Sequence, residues 1–268
     1  DGGLEETTPD SLFGLTDSRR GTVRTLVDTL RKAKADARIA RVIVTPANLG
    51  VANWGKLQEV RDAIIDFRRS GKKAIAFLEY GGDREYFVAT GCDRIFLLPT
   101  SPLDVSGIAT YDLFLRGTLD KIGAQADFAH IGDYKSAPNQ LTETGFTAAH
   151  REMRESLNRD LFDQLVSGIA EGRKRSVDEI RLLIDEGPFL PEDALKAGLV
   201  DELAYEDQVG EKAFPVSASS SARISRRASP HRLLLCAADC ERETLEASER
   251  AGVLRVSWAR PGRGRDGA

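Results

Sequence analysis

Three short apolar runs, "RVIVTP" (41–46), "KAIAFLE" (73–79) and "RIFLLP" (94–99), constrain this chain more than any other feature. Each is rich in β-branched or aromatic residues, and two close on proline. These are signatures of strands buried on both faces. The segments between them change period. Residues 21–36 put Val23, Leu26, Val27 and Leu30 on one helical face. Residues 53–71 repeat the pattern through Leu57, Val60, Ile64 and Phe67, with Gly71 suited to a C-terminal cap. A short helix is expected over "REYFVATGC", another over 112–123, and a fourth strand over "QADFAHI" (125–131). Strand alternating with helix is the rhythm of an α/β domain with largely parallel pairing.

A helix-rich section follows. Residues 146–174 form a long amphipathic helix with Thr147 as N-cap and a stripe of Met153, Leu157, Leu161, Leu165 and Ile169. Ser176 and Glu179 make a capping box for a helix ending at Gly187, and Pro191 starts a shorter one. After Lys212 there is no further lysine, and arginine and serine accumulate. Residues 213–268 therefore read as a tail, disordered or non-native, and 1–19 as a truncated lead-in to a domain over 20–212. At 268 residues the chain is long enough for a real core, and a net charge of −4 argues against a nucleic-acid partner.

The chemical motifs are mostly negative. No G-x-S-x-G elbow, phosphate loop, dinucleotide fingerprint or H-E-x-x-H is present. The three cysteines make no disulfide framework, and Cys236 and Cys240 lack a second pair for metal. No metal and no cofactor is expected. His130, His150 and His231 are scattered, and structural roles are expected for His130 and His150. "EYGGDREYFVATGCDRI" (79–95) runs from strand through Gly81-Gly82 into a helix, a geometry that presents a nucleophile to a cleft. The turn offers Asp83, Arg84 and Glu85 instead, with no serine. "HIGDYKSAPNQ" (130–140) sets Lys135 in a turn punctuated by glycine and proline. On the residues alone, Lys135 is either a solvated charge or an amine whose pKa is lowered by burial or a nearby cation.

The stretch from Ser70 to Glu143 resembles the N-terminal half of the long, two-domain form of the signal peptide peptidase A (protease IV) family. The helical region behind it and "ALKAGLVDEL" share the likeness, which covers residues 20–205. Its most specific element is "GDYKSAPNQLTETGFTAAHREM". The resemblance implies a Clp protease/crotonase-like fold of stacked β-β-α units with a helical arm. It implies that Lys135 is the general base of a Ser-Lys dyad. It places the serine nucleophile in a C-terminal domain, so that none lies in this chain. Ser106 and Ser136 do not match the nucleophile position, and Ser136 follows Lys135 directly, so the two side chains are expected to point apart. Further implications are a peptide substrate such as signal peptide remnants, a homo-oligomer, and a location at the bacterial inner membrane with the catalytic domain outside the cytoplasm. The chain alone is expected to be inactive. The alternative is a catalytically inactive scaffold or oligomerisation module of the same fold. A crotonase-type acyl-CoA enzyme is a weaker competitor, because the lysine turn does not support it.

Overall fold

The computed structural model describes residues 22–47, 49, 53–129, 131–213, 247–248 and 253–257. His130, His231, Cys236, Cys240, the lead-in 1–19 and most of 213–268 lie outside them. The chain divides into two compact units, one of Asp1–Val105 with Gly187–Ala268 and one of Ser106–Glu186.

The first unit is built on α1 (Val23–Ala35), β1 (Arg41–Thr45), α2 (Trp54–Arg69), β2 (Lys73–Leu78), β3 (Gly81–Gly82), α3 (Asp83–Ala89), β4 (Arg94–Leu97) and β5 (Leu103–Asp104). All three runs that define the sequence become neighbouring parallel strands, with Ile43 beside Ile75 and Phe77 beside Phe96. From their second residues onward β1, β2 and β4 are wholly buried. That is why their sequences do not alternate: a strand covered on both faces needs apolar side chains on both. Phe77 and Phe96 have no accessible surface and share a core with Ile43, Ile75, Ala204 and Val209.

Helix α1 packs on α2 through Val23, Val27 and Leu30, all buried, while Leu26 is half-buried. Lys34 of α1 reaches Asp66 of α2 at 2.8 Å. Helix α2 stops where expected, because Gly71 adopts φ +86°, a left-handed conformation that costs a glycine little. After the second unit the chain returns through α8 (Pro191–Lys196), β6 (Glu202–Leu203) and α9 (Glu206–Ala213), and then β7 (Ala247–Ser248) and β8 (Val253–Ser257). Among the described residues the main sheet runs β6-β4-β2-β1-β8-β7, parallel except for the β7–β8 pair. The α/β class with parallel pairing expected from the sequence is the class observed.

Cys92, in the turn between α3 and β4, is buried at 5% exposure, and burial pushes its thiol up, well out of the physiological range. It is expected to react with a maleimide on the order of 100-fold more slowly in the native chain than in the unfolded one, since the thiolate is the nucleophile. Peptide mapping of the labelled Cys92 checks this, and equal rates in both states would contradict it.

The second unit contains α4 (Arg116–Lys121), α5 (Asn139–Thr142), α6 (Ala148–Arg173) and α7 (Val177–Glu186). Thr147 caps α6 as expected, its hydroxyl accepting the His150 N–H at 3.3 Å. The capping box of α7 also forms, with Glu179 accepting the Ser176 N–H at 2.9 Å and donating its own N–H to the Ser176 hydroxyl at 3.2 Å. The α6 stripe is buried only in its second half, at Leu165 and Ile169, and Leu157 is 44% exposed.

In two places the structure departs from the sequence expectation. The helix expected over 112–123 is confined to α4. Its first part, Tyr111–Leu115, is a strap whose burial alternates, with Asp112 and Phe114 turned in and Tyr111, Leu113 and Leu115 turned out. A period of two opposes helix formation. The strand expected over 125–131 is absent among the described residues. Phe128 and Ile131 are exposed, and no neighbouring strand accepts the backbone hydrogen bonds a ladder requires.

Candidate active site

Lys135 lies in a turn of the second unit that opens at Gly132, whose φ of +80° suits glycine. The Lys135 N–H closes the turn on the Gly132 carbonyl at 3.3 Å. The residues on either side of Lys135 fasten the turn to α6. The Tyr134 hydroxyl donates to Glu152 Oε2 at 2.8 Å. Ser136 is buried, its hydroxyl 3.8 Å from Met153 Sδ. Asn139, also buried, donates from Nδ2 to the Thr147 hydroxyl at 3.3 Å. Both neighbours of Lys135 thus engage the helix, while Lys135 itself is exposed. Ser136 and Lys135 face opposite ways and form no pair.

The first turns of α6 hold the strap as well. Arg154 Nη2 donates to Asp112 Oδ1 at 2.5 Å, and His150 Nε2 lies 3.9 Å from the same oxygen. The side chains of Asp112 and His150 are each 2% exposed. Phe114 and Phe146 flank His150, with ring centroids at 5.9 and 4.9 Å. Asn158 and Thr110 complete the line at 3.1 Å. Asp112 Oδ2, His150 Nδ1 and Arg154 Nε remain buried without a partner among the described residues. His150 therefore sits in a packed structural cluster. The sequence offered one hint of it, His150 and Arg154 one helical turn apart. Nothing local pointed to Asp112, some forty positions earlier.

In the first unit, the turn at Gly81–Glu85 is filled from within. Glu85 is buried, and its Oε1 accepts the Leu49 N–H at 2.7 Å. A Cβ on Gly82 would stand 2.8 Å from Glu85 Oε2, and one on Gly81 would stand 2.5 Å from Leu103 Cδ1. A side chain at either position would have to displace the end of Leu103 or of Glu85. Tyr80 donates to Asp104 Oδ2 at 2.9 Å, and that carboxylate raises the Tyr80 phenol. Among the described residues no cluster of His, Cys, Asp and Glu could hold a metal ion. No described helix is long and apolar enough to cross a membrane.

The family model described as peptidase family S49 matches residues 66–215, a span that includes both the Gly81–Glu85 turn and Lys135. Among known proteins the chain is similar to "Serine protease SPPA, chloroplastic" of Arabidopsis thaliana, 28% identical over 186 residues, covering 69% of this chain and 27% of that protein. It is similar to "Protease 4" of Salmonella typhi, 27% identical over 213 residues, covering 76% of this chain and 34% of that protein. It is similar to "Protease 4" of Haemophilus influenzae, 24% identical over 185 residues, covering 69% and 29%. The chain spans about a third or less of the length of these relatives.

Proposed function

This chain belongs to peptidase family S49, and we propose that it is the lysine-supplying part of a Ser-Lys endopeptidase, with Lys135 as the general base. The observation that carries the reading is the division within 134–136: Tyr134 and Ser136 are engaged on α6, and Lys135 alone is left to reach outward. The Gly81–Glu85 turn supports the complementary half. It holds no serine, and Glu85 occupies its interior. The nucleophile then comes from a further, serine-bearing domain.

In the proposed reaction the neutral Lys135 amine takes the proton of that serine as its oxygen attacks a peptide carbonyl. The resulting ammonium returns a proton to the leaving amine. A second deprotonation, of water, releases the acyl group and regenerates the serine. Backbone N–H groups hold the oxyanion. A lysine works this way only if its pKa falls from ~10.4 toward neutrality, through burial or a neighbouring cation. Lys135 is exposed in this chain, so the serine-bearing domain must also cover it. The substrates are extended apolar peptides such as signal peptide remnants, bound by strand addition in a membrane-associated homo-oligomer. No nucleic acid takes part.

The exposure of Lys135 also favours a second reading, a non-catalytic scaffold of the same fold. A fluorophosphonate probe, which labels activated serines, tests the division of labour. It is expected to leave every serine of the 268-residue chain unlabelled, and stoichiometric labelling at any of them would refute the missing-nucleophile half of the proposal.

A further inference from the structure

We infer that Tyr134 and Glu152 form a clamp that positions Lys135, fixing the direction in which its side chain leaves the turn. The inference rests on the reading of Lys135 as a base. A lysine has four rotatable side-chain bonds, and a base must present its amine within hydrogen-bond reach of one hydroxyl. Packing of the lysine's own stem does not supply that order here, because Lys135 is exposed. Order comes instead from the backbone on either side. On one side the Tyr134 hydroxyl is held by Glu152, in the second turn of α6. On the other, Ser136 is buried against Met153, and Asn139 is held by Thr147, the residue that caps α6.

These anchors divide by type. Ser136 and Asn139 are buried, so substitutions there would disturb packing. Tyr134 is 59% exposed, and Glu152 is exposed too. Their contact buries little, and a link of this kind on the surface does little for stability. Its geometric consequence is that residue 134 is tethered to the helix, and Lys135 is bonded to it. The phenol bears the mark of the contact: Glu152, with a smaller effect from Asp133, raises its pKa. Asp133 is the other charged group beside it in the turn, and Arg151 of α6 lies over Phe146.

Three measurements on Tyr134→Phe and Glu152→Gln test the clamp. The first is the rate of trypsin cleavage after Lys135 in the folded 268-residue chain. It is expected to rise severalfold in Tyr134→Phe, the loss of one modest hydrogen bond, and less in Glu152→Gln, whose amide oxygen still accepts from the phenol. The second is ultraviolet titration of the phenols, in which the raised Tyr134 transition returns toward the ordinary tyrosine range in Glu152→Gln. The third is kinetics of the full-length protease, in which kcat falls severalfold and KM is unchanged. An unchanged cleavage rate and an unchanged phenol titration overturn the clamp. Faster cleavage with an unchanged kcat overturns its positioning role. If Lys135→Ala retains activity, the base assignment fails instead, and the cleavage and titration results report on the contact independently.

Discussion

With Lys135 as the proposed base, Lys135→Ala in the full-length protease is expected to lower kcat by about 10³-fold or more, with a small change in KM, because on that reading the variant has no group to take the serine proton. Binding of an extended peptide depends on backbone hydrogen bonds and side-chain pockets, which the substitution leaves in place. Lys135→Arg is the informative companion. Arginine keeps the positive charge and a long stem, but it does not deprotonate in proteins. A base role therefore predicts that Arg fails as completely as Ala, whereas a charge that merely attracts substrate predicts rescue by Arg. Single-turnover rates on a fluorogenic peptide settle the matter. Lys135→Ala retaining more than a tenth of the activity would remove Lys135 from the mechanism.

The second large effect is structural. Asp112→Ala is expected to destabilise the Ser106–Glu186 unit by about 2–3 kcal/mol, somewhat below the usual cost of breaking a buried pair because Arg154 is 32% exposed. The Asp112 carboxylate, 2% exposed, is the acceptor that holds Arg154 Nη2 and faces His150. Without it a guanidinium that is two-thirds buried loses its counter-charge, and the strap Tyr111–Leu115 loses its central tie to α6. Asp112→Asn keeps one acceptor oxygen and should cost roughly half as much. Hydrogen exchange locates the effect. Protection should fall in 110–115 and in the first turns of α6 and stay constant in β1 and β2. A midpoint shift within experimental error, or a uniform loss across both units, would contradict this assignment.

Much of the site is legible in the chain itself, but not for one reason. Lys135 is legible through the residues around it, because the G-x-Y-K-S-A turn and the long helix behind it match a known family. The glycine pair at 81–82 is legible as a turn before α3. The occupant of that turn is not, since nothing near Glu85 in sequence points to the Leu49 amide thirty-six positions away. The partners of Lys135's neighbours are also hidden, because Glu152 and Met153 are ordinary residues on an amphipathic helix. The strap shows the same limit. "DLFLRGTLDKIG" contains acceptable helix formers, and it is distant partners, Arg154 for Asp112, Phe146 for Phe114 and the Gln140 carbonyl for the Leu115 N–H, that hold its first half as an alternating, extended segment.

The features settled within a few residues are therefore open to reading from the chain alone. They include the doubly buried strands, the hydroxyl cap of Thr147, the reciprocal Ser176–Glu179 box and the left-handed glycine at 71. Each depends on groups one helical turn or one strand period apart, so the local pattern carries the energetic decision. Tertiary structure decided which strands adjoin, that 125–131 gains no ladder among the described residues, that Asp112 finds Arg154, and that Tyr134 and Ser136 engage α6 while the Lys135 side chain is exposed. Those outcomes depend on pairing groups far apart in sequence. Burial makes such pairing obligatory for a carboxylate or an amide, but no local period records which partner will arrive.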